Sequence, residues 1–297
     1  ADFDQASEQA KERFGSSIIV AQYPVNQGEG FNQIVDLLSQ KLYTYEVGGK
    51  GAGTESDIPA DLQDQAVILR EELVDAIAES DEALLEKYLE GEELDEKTVV
   101  AALKNAVKDG LVVPLVVTDA AHGIGIDRFI EWTVSILPSP TDMDTIEATT
   151  PGGGDDTVAI LPDENEPFSA YVFKTVSEEH VGELSFVRVY SGTMGHNVDA
   201  LNTSQDASER IGKSFFLVGH EKTDAVHIRA GDIGALVKLR NTHTGDTLAN
   251  PERPVILAQA SWPTANIQLA VSPKTKGDED KLGSGLHRLH EEDPSFT

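Results

Sequence analysis

The apolar positions of this chain recur at helical spacing in its first half and at alternating spacing afterwards, with the change near Pro140. Residues 1–14 read as the end of a helix. Ser17–Tyr23 is a short apolar run of strand type, closed by Pro24. Gly28-Glu29-Gly30 forms a turn, and Phe31, Ile34, Val35 and Leu38 then recur at the spacing of a helix. Gly48–Gly53 is a glycine-rich loop. Pro59 suits the first turn of a helix, and Leu62, Ala66, Leu69, Leu73 and Ile77 fall on one face of it. Asp64, Glu71, Glu72, Asp75 and Glu79 fall on or beside the opposite face. Ser80 is placed to cap a short helix through Leu89, stopped by Gly91. Asp95 is placed to cap another, with Val99, Leu103 and Val107 inward. Val112–Val117 is continuously apolar, as parallel central strands are. Ile126, Phe129, Ile130 and Val134 mark a further helix, ended by Leu137-Pro138-Ser139-Pro140.

Residues 141–165 read as a linker, with Thr149–Asp156 (TTPGGGDD) as its loosest part or an exposed hairpin. From Pro167 the period becomes alternating. Phe168–Thr175, Glu183–Tyr190, Val198–Thr203, Ile211–Val218, Ala235–Leu239 and Val255–Ala260 are short strands split by turn residues. Their spacing predicts a closed antiparallel barrel over 166–263. Beyond it, Ile267–Val271 reads as one more strand and Gly277–Glu292 as a helix carrying Leu282, Leu286 and Leu289. A strand–helix pair cannot bury its own faces, so 264–297 reads as the start of a third, α+β domain. The fold class is α/β followed by all-β.

Charge changes this picture. The chain carries −29 formally, and Glu55–Glu96 holds 16 Asp/Glu against 2 Lys/Arg, about half of the excess. Phosphate contacts depend on Lys and Arg, so no autonomous grip on nucleic acid is expected. The acids serve either solubility or an acidic face for a basic partner. The longest apolar run, Leu111–Val117, is strand-sized, so no membrane span is expected. With no cysteine, disulfides and thiolate chemistry are excluded, which fits a cytoplasmic protein.

Sites for chemistry are few. Lys50 in the glycine loop is followed by Gly51, not by the Ser or Thr that a phosphate loop requires, so the loop reads as a connector. His287 and His290 lie three apart on a helix, yet no third metal ligand is set by spacing; His220 and His227 are likewise read as surface side chains. No metal site and no catalytic residue is assigned, and no G-x-S-x-G is present. Val116-Val117-Thr118-Asp119-Ala120-Ala121 stands apart: a strand running into a loop and then a helix is where doubly wound sheets place ligands.

Several short segments in a fixed order carry a resemblance. They are Asp57-Ile58-Pro59-Ala60-Asp61-Leu62, LLEKYLEGEEL at Leu84–Leu94, LPSP at Leu137–Pro140, Ser185–Gly192, Glu209-Arg210-Ile211-Gly212, Ala230-Gly231-Asp232-Ile233 and Thr244–Leu248. The tail adds Val271-Ser272-Pro273-Lys274-Thr275-Lys276 and Glu291–Phe296. Together they resemble translation elongation factor G, nearly end to end. The resemblance implies that residues 1–140 are the C-terminal part of a doubly wound GTPase domain, with a helical insert at about 40–110. It implies a translation-factor β-barrel at 166–263 and the opening of a ferredoxin-like domain at 264–297. The family hydrolyses GTP on the ribosome and drives tRNA and mRNA movement.

The resemblance also marks absences. No GxxxxGK[ST], DxxG or NKxD occurs, and the chain matches from just past the family's NKxD. GTP with Mg²⁺ is implied for the full-length parent and no nucleotide for these residues alone. One guanine-contacting loop is carried over to Thr118, Asp119 and Ala120, where the family usually has Gly-Ser-Ala. A carboxylate there would repel the guanine carbonyl unless Asp119 points away and the Ala120 amide makes the contact. The insert of the family meets the ribosomal stalk protein, and Glu71, Glu72, Asp75 and Glu79 are the residues expected to do so. The departure at Asp119, with the acidic excess, leaves a paralogue of elongation factor G open beside the main factor, and two other readings stand beside these: an acidic adaptor that keeps the scaffold without nucleotide, and a ribosomal-protection or other factor sharing the barrel. LLEKYLEGEEL favours elongation factor G over the last.

Overall fold

A computed structural model describes residues 2–90, 94–152, 156–178 and 182–296. Gly91 and Gly153–Asp155 lie outside the described residues. The chain divides into two compact units, 1–138 and 139–297.

In the first unit, α1 (Phe3–Phe14) is capped by Asp2, whose carboxylate accepts from the Gln5 N–H. The run Ser17–Tyr23 splits at Ala21 into β1 (Ile18–Val20) and β2 (Gln22–Pro24). Next come β3 (Gln33–Asp36), β4 (Lys41–Thr44) and β5 (Thr54–Asp57), which with β2 form an antiparallel meander in the order β2-β3-β4-β5. Three helices follow, α2 (Ala60–Ala78), α3 (Glu82–Leu89) and α4 (Glu96–Lys108). Then β6 (Val113–Leu115) pairs in parallel with β1, Ile19 opposite Pro114, and α5 (Ile126–Ile136) ends the unit.

The helix expected over Phe31–Leu38 is a strand. Ile34 and Val35 are both fully buried, but in different cores. Ile34 joins Tyr43, Tyr45 and Ile124, whereas Val35 joins Leu42, Leu73 and Leu103. With both faces covered, the polar alternation that marks a strand is missing, and the apolar spacing imitates a helix. The wholly exposed, polar β5 had no apolar signal to announce it, and β4 offers only the adjacent pair Leu42 and Tyr43, each buried in a different core. The cap of α3 is Asp81, not Ser80: Asp81 Oδ1 accepts from the Leu84 N–H at 3.0 Å, while the Ser80 hydroxyl donates to the Ile77 carbonyl. Asp95 caps α4 as expected, accepting from the Thr98 N–H at 2.7 Å.

Helix α5 buries a different face from the apolar one. Arg128, Trp132 and Ile136 turn inward, whereas Phe129, Ile130 and Val134 are 48%, 55% and 80% exposed. The reason is a buried carboxylate. Asp36 accepts from Trp132 Nε1 at 2.7 Å and Arg128 Nη2 at 3.2 Å, and these bonds set the rotation of the helix.

In the second unit, residues 141–165 are not a bare linker. They carry β7 (Ile146–Thr149) and β8 (Thr157–Ile160), a hairpin whose Ala148 and Ile160 are buried. Then come β9 (Ser169–Glu178), β10 (Gly182–Ser191), β11 (Thr193–Gly195), β12 (Val198–Asn202) and β13 (Ala207–Ile211). These are followed by β14 (Ser214–Val218), β15 (Glu221–Asp224), β16 (His227–Arg229), β17 (Ile233–Val237), β18 (Thr247–Ala249) and β19 (Ile256–Leu257). An eight-stranded antiparallel sheet runs β13-β12-β18-β9-β10-β17-β14-β15 and coils round a single core with Val172, Val189, Ile211 and Ile228. The expected strand Ile211–Val218 is two strands, broken at Gly212-Lys213. β19 pairs with β7 rather than with the barrel.

No strand forms at Ile267–Val271. Ile267 and Leu269 are 77% and 82% exposed, and no described strand pairs with them, so the segment's propensity is unmet. The terminal helix α6 (Glu279–Glu292) does form and lies against β9, where the Ser177 N–H donates to Glu292 Oε1 at 2.8 Å.

Candidate functional site

The parallel pair β1–β6 delivers Val116–Gly125 to the carboxyl edge of the small sheet. The loop is closed on itself by two backbone bonds, Asp119 N–H to Ile124 O at 2.9 Å and Ile124 N–H to Asp119 O at 3.0 Å. Gly125 at its end has φ +74°, and a Cβ there would lie 2.5 Å from the Val117 carbonyl oxygen. Only glycine meets both demands, which lets α5 start directly under the loop.

Asp119 is half-buried and does not project outward. Its Oδ1 accepts from the Ala121 and His122 N–H groups at 3.1 and 3.3 Å, and its Oδ2 meets His122 Nδ1 at 2.7 Å. The His122 bond, helped by these amides, holds the carboxyl below its ordinary range, so it is ionised at neutral pH. Thr118 and Ala120 are exposed. Among the described residues the Ala120 N–H has no hydrogen-bond partner.

Beside the loop lies an open cleft of about 500 Å³, lined by Thr118, Asp119 and Ala120 with Phe3 at the start of α1 and Phe31. Gln27 of this cleft is occupied, accepting from the Phe3 N–H at 2.7 Å. Two carboxylates, Asp2 and Asp119, and no Lys or Arg line the cleft. It therefore offers nothing to a phosphate, but apolar rings and backbone groups to a flat heterocycle.

The loop is held from behind by polar groups that sequence reasoning missed. The Val117 N–H donates to Gln22 Oε1 at 3.1 Å, and Gln22 Nε2 donates to Asp36 Oδ2 at 2.8 Å. Arg128 stacks over the Tyr43 ring at 4.3 Å and pairs with Asp36 and Glu131. Burial alone would lower the Arg128 pKa, but Asp36, Tyr43 and Glu131 outweigh it and raise it. Asp127 accepts from Tyr45 Oη at 2.8 Å and from the Gly53 N–H at 2.9 Å, which ties down the end of the glycine loop. Burial, reinforced by Asp127, pushes the Tyr45 hydroxyl far up. Gly51 of that loop packs against Gly123, so this loop is held against the Val116–Gly125 loop rather than being a loose connector. The available signal was a polar residue inside an apolar run: Gln22 in Ser17–Tyr23 and Asp36 after Ile34-Val35.

The four acids singled out in the sequence are elsewhere in the unit. Glu71, Glu72 and Asp75 on α2 and Glu79 at its C-cap are all exposed, and helical geometry places them within an arc of about 100°. Leu73 and Ile77, fully buried, face the other way. A hydrogen bond to Asp75 raises the Tyr88 hydroxyl of α3, so that acid is partly engaged. The structure brings Thr118, Asp119 and Ala120 into one loop and the four acids into one stripe. His290 Nδ1 meets the Phe296 carbonyl at 2.6 Å, and no group of three or more His, Asp or Glu suited to a metal occurs among the described residues.

Known proteins place this architecture. Residues 167–250 match the family model described as elongation factor G domain 2, and residues 262–297 match elongation factor G, domain III. A crystal structure of a protein from Thermus thermophilus is similar over 99% of the chain, with TM-score 0.80 and 28% identity. The chain spans 41% of the length of that protein. The barrel and the segment after it are of the domain types found in translation elongation factor G. The chain is thus similar to elongation factor G in these two domains and in its fold.

Proposed function

We propose that these residues serve a ribosome-acting GTPase that moves tRNA and mRNA during protein synthesis, and that Thr118–Ala120 is the part of its guanine site carried here. The observation that carries this reading is the fold of the Asp119 carboxylate back onto Ala121 and His122. It engages both oxygens of Asp119, which lessens the repulsion that this carboxylate would exert on the guanine carbonyl, and the Ala120 N–H, without a partner among the described residues, is the donor available to the base. The phosphates and Mg²⁺ would be held by a P-loop, and the base edge by an NKxD, neither of which these 297 residues contain. Alone, they are proposed to bind GTP weakly at most and to hydrolyse none. Residues 1–140, 166–263 and 264–297 would then be the end of the GTPase domain, the barrel and the opening of the third domain.

The stripe Glu71, Glu72, Asp75 and Glu79 is proposed to face the basic side of the stalk protein. Exposed pairs contribute about 0–1 kcal/mol each, so the stripe speeds encounter more than it holds a complex. The parent is proposed to be cytoplasmic; no described helix is long and apolar enough to cross a membrane.

Calorimetry with GDP tests the reading, on this chain and on one extended N-terminally by residues supplying the P-loop and NKxD. Binding by the extended chain alone supports it. Failure of both makes Asp119 the suspect and favours the acidic adaptor without nucleotide.

A further inference from the structure

Gln22 is a fully buried amide with both ends in use, its oxygen on the Val117 N–H and its nitrogen on Asp36. Between an N–H and a carboxylate only one amide orientation is acceptable, since the flipped form sets donor against donor and oxygen against oxygen. Asp36 Oδ1 in turn accepts from the N–H groups of Leu38 and Ser39 at 3.1 and 3.0 Å, which anchors it in the β3–β4 turn. Arg70 of α2 donates to the Leu37 and Leu38 carbonyls of that same turn at 2.6 and 3.0 Å. A continuous path of hydrogen bonds therefore runs from α2 through Arg70, the turn, Asp36 and Gln22 to Val117, the residue that leads into Thr118.

We propose that Gln22 is the positioning residue of the Thr118–Ala120 loop, and that Asp36 and Arg70 tie its position to the acid-bearing helix α2. The role in nucleotide binding rests on the reading of that loop as the base loop; the hydrogen-bond path does not. A load applied to α2 by a partner on its acids is then felt at the loop, because the links are buried or part-buried bonds of 2.6–3.1 Å rather than fully solvated contacts.

Amide hydrogen exchange on the whole chain tests this without any nucleotide. Gln22→Met removes both amide bonds at similar volume. The Val117 amide is expected to exchange at least about tenfold faster, because local opening no longer costs a bond. The Ala21 and Val113 amides, which bond Leu115 O and Ser17 O across β1–β6, are expected to keep their rates. Arg70→Met leaves Gln22 and Asp36 in place and is expected to raise Val117 exchange several-fold, with the α4 amides unchanged. Gln22→Asn, one methylene too short to reach both partners, is expected to repeat the Gln22→Met result should that variant not fold. An unchanged Val117 rate in the Gln22 variants overturns the positioning role. Uniform acceleration that includes Ala21 and Val113 also overturns it, since Gln22 would then act on stability alone. A Val117 rate that responds to Gln22 but not to Arg70 overturns the link to α2. Failure of the guanine reading would appear in the calorimetry and leave these rates untouched.

Discussion

Asp36→Asn tests whether a buried carboxylate sets the rotation of α5. The substitution keeps the volume, so no cavity term enters. It removes the charge and places either an NH₂ or a neutral oxygen at Oδ2, where three donors converge: Gln22 Nε2, Arg128 Nη2 and Trp132 Nε1. The Asp36 side chain is 0% exposed and that of Arg128 11%, so water does not replace the lost partner. Removing one member of a buried ion pair costs about 3–5 kcal/mol. Arg128 keeps Glu131 and the Tyr43 face, which argues for the lower end, about 3 kcal/mol. For a unit of this size that is a fall of roughly 10 °C in the unfolding midpoint. The assay is thermal and urea unfolding followed by Trp132 emission, with Trp262→Phe as background so that a single indole reports. Trp132 emission in the folded state is also expected to shift, because its N–H loses an ionised acceptor. Asp57→Asn, at an exposed pair with Lys41, is the control and is expected to leave the midpoint in place. A loss below about 1 kcal/mol would refute the reasoning. It would mean that packing of Trp132 and Ile136, not the carboxylate, orients the helix.

Three further outcomes follow from the same geometry. Gly125→Ala is expected to destabilise the first unit by about 1–3 kcal/mol, read as a lower urea midpoint, because the new Cβ meets the Val117 carbonyl at positive φ. Docking of α6 on the barrel is expected to weaken with rising pH. His243 Nδ1 meets the buried Glu291 Oε2 at 2.6 Å; burial lowers the His243 pKa, but Glu291, then Asp246 of its own loop and Glu183 of β10, raise it further than burial lowers it. A raised folded pKa gives stability that is fully present below about 6.5 and lost as pH climbs through the folded value. Trp262, which lies by Gly245, reports this in a Trp132→Phe background, and a signal flat from pH 6 to 9 would sink the idea. Reversing Glu71, Glu72, Asp75 and Glu79 together is expected to cut the association rate with the stalk protein several-fold at low salt, with the effect fading as salt screens it; an unchanged rate in stopped flow refutes the docking role.

The sequence alone determined the elements whose apolar positions face one core. The burial of Ala66, Leu73 and Ile77 on α2, the Asp95 cap and the change to a barrel after Pro167 follow from period and capping chemistry, which act over a few residues. The acid stripe is legible for the same reason: one helical turn relates its members. Tertiary structure decided what depends on residues far apart in the chain. Phe31–Leu38 imitates a helix because β3 divides two cores, and which core each face meets is settled by β4, α2 and Ile124. The exposed face of α5 is the more apolar one because Asp36, 92 positions before Arg128, pulls the polar Arg128 and Trp132 inward. Ile267–Val271 has the composition of a strand, but a strand needs a neighbour's N–H and C=O groups, and no described segment supplies them. The loop at Thr118–Ala120 was recognisable from sequence as a place for a ligand. That the Asp119 carboxylate is engaged by Ala121 and His122, and that Gln22 holds the loop from behind, is set by hydrogen bonds that no local pattern encodes.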